Sequence, residues 1–176
     1  MFTIAYAPAP ITPCVIALVV AAASTDLQCR RIPNVLVAAG LVGAFFTQCW
    51  LRGIPDGASA WLAGALVGFG LFLPLYLMRG MAAGDVKLLA MIGAWIGPQL
   101  VCYAALATCL IGGVWVLAVA ARRRQLAMLF TALFALAQPT SFGGQPASAG
   151  SMGTIPYGVA IAGGTIVVLL ASAALL

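Results

Sequence analysis

Long apolar runs separated by short polar breaks organise this chain. The first run covers about Ile11 to Thr25, behind a proline-rich approach at Pro8, Pro10 and Pro13. A polar turn, Asp26–Leu27–Gln28–Cys29–Arg30–Arg31–Ile32–Pro33–Asn34, separates it from a second run, about Val35 to Leu51. Arg52–Gly53–Ile54–Pro55–Asp56–Gly57 has turn chemistry throughout, so a loop is expected before a third run from Ala58 to Met78. Arg79–Gly80 and a short segment carrying Asp85 follow. From Leu88 to Ala121 the chain is almost uncharged. At about 1.5 Å per helical residue that stretch is too long for one crossing of a ~30 Å hydrocarbon core and slightly short for two. Gly97–Pro98–Gln99 is the natural break. It leaves a fourth span of about Val86 to Ile96, reaching only part of the way across, and a fifth of about Leu100 to Ala121. The short fourth span implies that its ends are extended or that Asp85 lies in an aqueous recess below the membrane surface; the recess is the expectation, because hydrolysis needs water. Residues 125–137 are apolar but short and suit an interfacial helix. Residues 138–153 read as a Pro/Ser/Gly loop, and a last span covers about Ile155 to Leu176.

Composition sharpens the picture. Hydrophobic residues make up 64% of the 176 and charged ones only 6%, against roughly a quarter charged in soluble domains. The expected fold is therefore all-α: a polytopic integral membrane helical bundle of about six transmembrane helices, in one membrane domain over residues 1–176. No Lys or Arg precedes the first run, which argues against a cleaved signal peptide. The net charge is +5, and seven of the eight basic residues (Arg30, Arg31, Arg79, Lys87, Arg122, Arg123, Arg124) fall on one side of the predicted spans, with Arg52 alone on the other. Such asymmetry marks the cytoplasmic face, and it places the N-terminus outside. A nucleic-acid partner would need basic clusters on a folded soluble surface, for which the spans leave no room.

The acidic residues are Asp26, Asp56 and Asp85, with no Glu and no His. Asp26 and Asp85 lie where apolar runs meet the cytoplasmic side, while Asp56 lies on the far side as a turn residue. Ionisable groups at such positions are costly and are functional-site candidates. A Ser–His arrangement has no His, and a zinc site has neither His nor a C-x-x-C pair among Cys14, Cys29, Cys49, Cys102 and Cys109. A Ser–Lys dyad would need Lys87, to which no serine is tied by spacing. Two carboxyls that share a proton can serve as the base and the acid of a hydrolysis. The candidate catalytic pair is Asp26 and Asp85, with no metal and no cofactor.

Three segments carry a family resemblance. Ala82–Ala83–Gly84–Asp85–Val86–Lys87–Leu88–Leu89–Ala90, followed by Gly93 and Gly97, resembles the GxGD motif of the type IV prepilin peptidases, membrane aspartyl proteases that remove the short leader of pilin precursors. Asp26 with its basic residues and Ile32–Pro33–Asn34 resembles the other catalytic region of that family. Ile155–Pro156–Tyr157–Gly158–Val159–Ala160 resembles the segment before its last helix. The small size is similar to the short branch serving tight-adherence (Flp-type) pili, the TadV- and CpaA-like group. The resemblance implies a multi-pass protein of the bacterial cytoplasmic (inner) membrane that acts on Flp-type prepilins and pseudopilins. It also implies contact with membrane lipid, and Asp26 and Asp85 as the catalytic residues. Gly84, Lys87, Asn34 and Tyr157 are candidates to line the site or bind substrate. The chain departs from the motif at Ala82, where the family has glycine. Nothing between Asp26 and Val35 could hold the cysteine-bearing insertion of the long prepilin peptidases, so cleavage without methyltransferase activity is implied.

Structural roles stand beside these. Asp26 could pair with Arg30 at a helix end, Asp85 could cap the next helix, and Lys87, Arg30 and Arg31 suit membrane-face anchors. Gly64, Gly68, Gly93 and Gly97 have the spacing of close helix packing. The competing functional class is a small transporter or scaffold whose two aspartates bind protons or cations. A transport site belongs near the midplane, whereas both aspartates sit at one face.

Overall fold

The computed structural model describes residues 11–29, 32–78, 81–122 and 157–174. They form five helices and, among the described residues, no strands: α1 (Ile11–Cys29), α2 (Asn34–Arg52), α3 (Ile54–Leu77), α4 (Ala83–Arg122) and α5 (Tyr157–Ala174). All five are long and apolar enough to cross a membrane. Gly97 is non-helical inside α4, with φ 83° and ψ 173°, so that helix is two arms joined at the expected break. Counted by arms, the described helices number six. The expectations for residues 125–137 and 138–153, and for the surroundings of Arg30, Arg31, Arg79, Arg123 and Arg124, lie outside the described residues.

The chain divides into two compact units, Met1–Ile111 with Pro156–Leu176, and Gly112–Ile155. The described part of the second, 112–122, is helical and exposes Val114, Trp115 and Leu117.

In the first unit the outer surface is apolar, with Val42, Phe46, Trp50, Leu66, Leu106 and Leu170 exposed. That surface suits lipid rather than water as the solvent. Thr108 and Thr165 bond back to carbonyls of their own helices, Ala104 (2.7 Å) and Ile161 (2.8 Å), so these buried hydroxyls are satisfied without a partner helix.

α1, α2 and α3 each bury one stripe. On α1 the stripe is Ile11, Val15, Val19, Ala22 and Asp26, at the three- and four-residue spacing of one helix face. α1 packs along α5, and α2 packs along α3. The first arm of α4 is the centre of the unit: every residue from Leu88 to Gly97 is buried. An arm enclosed on all sides takes its length from its protein neighbours, not from the bilayer, which explains why 83–96 is shorter than a full crossing.

Glycines set the close approaches around that arm. A Cβ on Gly64 would lie 2.7 Å from the Gly93 carbonyl carbon and 3.1 Å from Gly97 Cα, and a Cβ on Gly68 would lie 3.0 Å from the Leu89 carbonyl carbon. These are backbone-to-backbone contacts, so α3 and α4 touch where the small-residue spacing suggests. Pro98 has no N–H to offer the Ala94 carbonyl four residues back. Gln48 of α2 fills that gap: its Nε2 donates to the Trp95 carbonyl at 2.8 Å and to the Ala94 carbonyl at 3.4 Å.

Several boundaries differ from the sequence expectation. α1 runs through Asp26 to Cys29 instead of ending at Thr25. Residues 52–57 are not a loop. α2 ends at Arg52, α3 begins at Ile54, and Gly53 alone joins them with φ 84°. Pro55 and Asp56 sit in the first turn of α3, where a fixed φ and a negative charge both favour a helix start. Turn-forming and helix-initiating residues are largely the same types, and a glycine at positive φ makes a one-residue joint possible. The fourth helix begins at Ala83, three residues before Val86.

Candidate active site

Asp26 and Asp85 reach one end of the unit from different elements. Asp26 is in the last turn of α1, at the end of the stripe that faces the bundle, and is 9% exposed. Asp85 is in the first turn of α4 and is 5% exposed. It is not the capping residue outside the helix: its own N–H reaches back to the Ala82 carbonyl at 3.1 Å, inside the first turn. Ile32, just beyond the end of α1, packs against Gly84, so the turn carrying Asp26 and the turn carrying Asp85 lie at the same end of the unit. Asp56 is exposed at the start of α3, at the other end of the α2–α3 hairpin from Asn34.

The last turn of a helix is an unfavourable place for a carboxylate. Asp26 finds its partner on another helix: the backbone N–H of Gly158, in the first turn of α5, donates to its Oδ2 at 3.0 Å in a buried position. First-turn N–H groups have no acceptor within their own helix, so this donor is free for the carboxyl. The neighbouring Tyr157 is half-buried. The first turn of α5 therefore meets Asp26 through the Gly158 N–H.

The other residues singled out from the sequence fall around this pair. A Cβ on Gly84 would lie 3.5–3.7 Å from the Ile32 side chain, so the segment after α1 packs against the residue preceding Asp85. Lys87 is exposed and donates through Nζ to Asn34 Oδ1 at 3.2 Å. This bond ties the start of α2 to the first arm of α4, beside the acids along the chain but on an open surface. Gly84 thus packs against Ile32 beside Asp85, Tyr157 adjoins the Gly158 that holds Asp26, and Lys87 and Asn34 form a pair with each other. Sequence reasoning misses Gly158 and Ile32 as parts of the site. Both lie inside the motif segments, but a backbone N–H and an aliphatic contact carry no residue-type signal.

A polytopic helical membrane protein with two buried carboxyls at one end of its bundle is the class this fold and site define. The family profile of the type IV leader peptidases matches residues 14–117, which include both aspartates, and the chain belongs to that family. Comparison with curated proteins finds no match, and comparison with solved structures finds none either.

Proposed function

We propose that this protein is an aspartyl endopeptidase that removes the short basic leader of Flp-type prepilins at the cytoplasmic face of the bacterial inner membrane. The observation that supports the reading is the burial of both Asp26 and Asp85, the acids of the two resembling motifs, in turns at the same end of the bundle. Two adjacent carboxyls in a site of low dielectric hold one proton between them. The ionised one takes a proton from water as the water oxygen bonds to the scissile carbonyl carbon. The protonated one gives its proton to the carbonyl oxygen. Collapse of the resulting diol re-forms the carbonyl, breaks the C–N bond and delivers a proton to the leaving amine. No metal or cofactor takes part in this scheme. Gly84 and Tyr157 line the approach of the substrate, whose apolar helix would share the lipid with the exposed faces of the bundle, and the Lys87–Asn34 pair borders it on the open surface without gripping the substrate. Cleavage occurs without methylation of the new N-terminus.

Co-expression with an Flp-type prepilin and a gel-shift assay of the precursor tests this. Asp26→Asn and Asp85→Asn each abolish cleavage while the protein remains in the membrane, because an amide replaces neither the base nor the acid. Asp56→Asn cleaves as the parent does. Full cleavage by either mutant of the pair refutes the aspartyl reading.

A further inference from the structure

We propose that Gly158 is a positioning residue for Asp26: its N–H holds Oδ2 and leaves Oδ1 as the oxygen that meets water. The inference rests on the aspartyl-peptidase reading of the pair and adds a part to it that no side chain supplies.

Three observations lead there. The first is the hydrogen bond itself, 3.0 Å long, buried, and made by a donor that its own helix cannot use. The second is space. A Cβ at position 158 would stand 2.7 Å from Asp26 Oδ2 and 3.0 Å from its Cβ and Cγ. Those last two atoms are close to the α1 backbone, so they cannot swing away as the tip of a long side chain would. A residue larger than glycine therefore displaces the carboxyl or separates α1 from α5. The third is the freedom of the group being held. The Cβ–Cγ torsion of an aspartate is broad, so burial alone does not choose which oxygen points where. A single N–H on one oxygen makes that choice.

Gly164 provides an internal control. A Cβ there would be equally crowded, 2.6 Å from Thr108 N and Oγ1, yet no acid is involved. Crowding at 164 should disturb assembly of α4 with α5, whereas crowding at 158 should disturb the reaction.

The test uses the full chain made by cell-free translation into lipid nanodiscs. Two variants are compared with the parent and with Gly164→Ala. One is Gly158→Ala. The other replaces Gly158 by glycolic acid, which removes the N–H and adds no atom on the Cα. With a prepilin substrate, both should lower kcat by about tenfold to a hundredfold, the scale set by misplacing a reacting group by about 1 Å. KM should change by less than about threefold, the mark of an interaction that acts in the transition state. Gly164→Ala, per folded molecule, should keep the parent kcat. A second readout does not depend on cleavage. With Asp56→Asn and Asp85→Asn in place, Asp26 is the sole aspartate, and its ¹³C-labelled carboxyl band in the infrared should shift when the ester replaces the amide at 158. An unshifted band overturns the proposal, as does an ester variant with the parent kcat or a loss confined to KM. If the parent cleaves no prepilin but the band shifts, the peptidase reading falls and the contact that holds Asp26 stands.

Discussion

Placing a methyl group on Gly64 is expected to be among the more damaging small changes to the fold. The added Cβ would meet the Gly93 carbonyl carbon at 2.7 Å and Gly97 Cα at 3.1 Å. Ordinary carbon–carbon contacts are ~3.5–4.0 Å, so α3 would have to back away from the first arm of α4 by roughly 1 Å. A gap of that size along the seam forfeits about a quarter to a half of the dispersion energy of the atoms lining it. Overpacking of this kind costs about 1–3 kcal/mol, and the upper end applies because both sides are backbone and neither can rotate aside. Alanine recovers about 1 kcal/mol of helix propensity over glycine. The net expectation is a loss of about 2 kcal/mol for Gly64→Ala. A Cβ on Gly70, in the same helix, would meet nothing within 4 Å, so Gly70→Ala keeps the propensity gain and should be neutral or slightly stabilising. Thermal unfolding in nanodiscs at matched protein level, read by intrinsic fluorescence, ranks the two. The same seam holds the arm that carries Asp85, so Gly64→Ala should also reduce prepilin cleavage more than Gly70→Ala does. Equal melting of Gly64→Ala and Gly70→Ala would refute the backbone-to-backbone account of how α3 meets α4.

Three further outcomes follow from the geometry. Gln48→Leu removes the donor that serves the Ala94 and Trp95 carbonyls at the α4 break and should cost about 1–3 kcal/mol, seen in the same unfolding assay. An unchanged melting temperature would mean that those carbonyls are satisfied without it. Lys87→Gln breaks only an exposed bond to Asn34, so cleavage should stay within about threefold of the parent, under ~0.7 kcal/mol in barrier; a larger drop in kcat/KM would mark Lys87 as touching substrate. Ala82→Gly should leave cleavage time courses unchanged or slightly slower: Ala82 is exposed, and among the described glycines positive φ is found at Gly53 and Gly97, not at Gly84 beside Asp85. A gain of about tenfold, roughly 1.4 kcal/mol, would show that the segment needs the freedom of glycine.

Much of this protein is legible from the order of its residues. Long apolar runs with 6% charged residues leave a membrane bundle as the only stable outcome, because a backbone in lipid must satisfy its own polar groups. The break in α4 is readable at Gly97–Pro98 because proline cannot continue a helix, whatever surrounds it. Asp26 and Asp85 stand out because an acid at the edge of an apolar run is costly wherever the run ends up. The joint at Gly53 is not readable, since Pro, Asp and Gly are used by loops and by helix starts alike. Only the close passage of α3 against the end of α2, where a Cβ on Gly57 would lie 2.5 Å from the Gln48 carbonyl oxygen, selects the helix start. That the first arm of α4 is short is readable from the break at Gly97–Pro98, but its burial from Leu88 to Gly97 is not, because enclosure by neighbouring helices is a property of the packing. The partner of Asp26 is beyond the reach of sequence for a related reason. It is a backbone N–H 132 residues away, a group that every residue but proline carries, and only the packing of α1 along α5 decides which one arrives at the carboxyl.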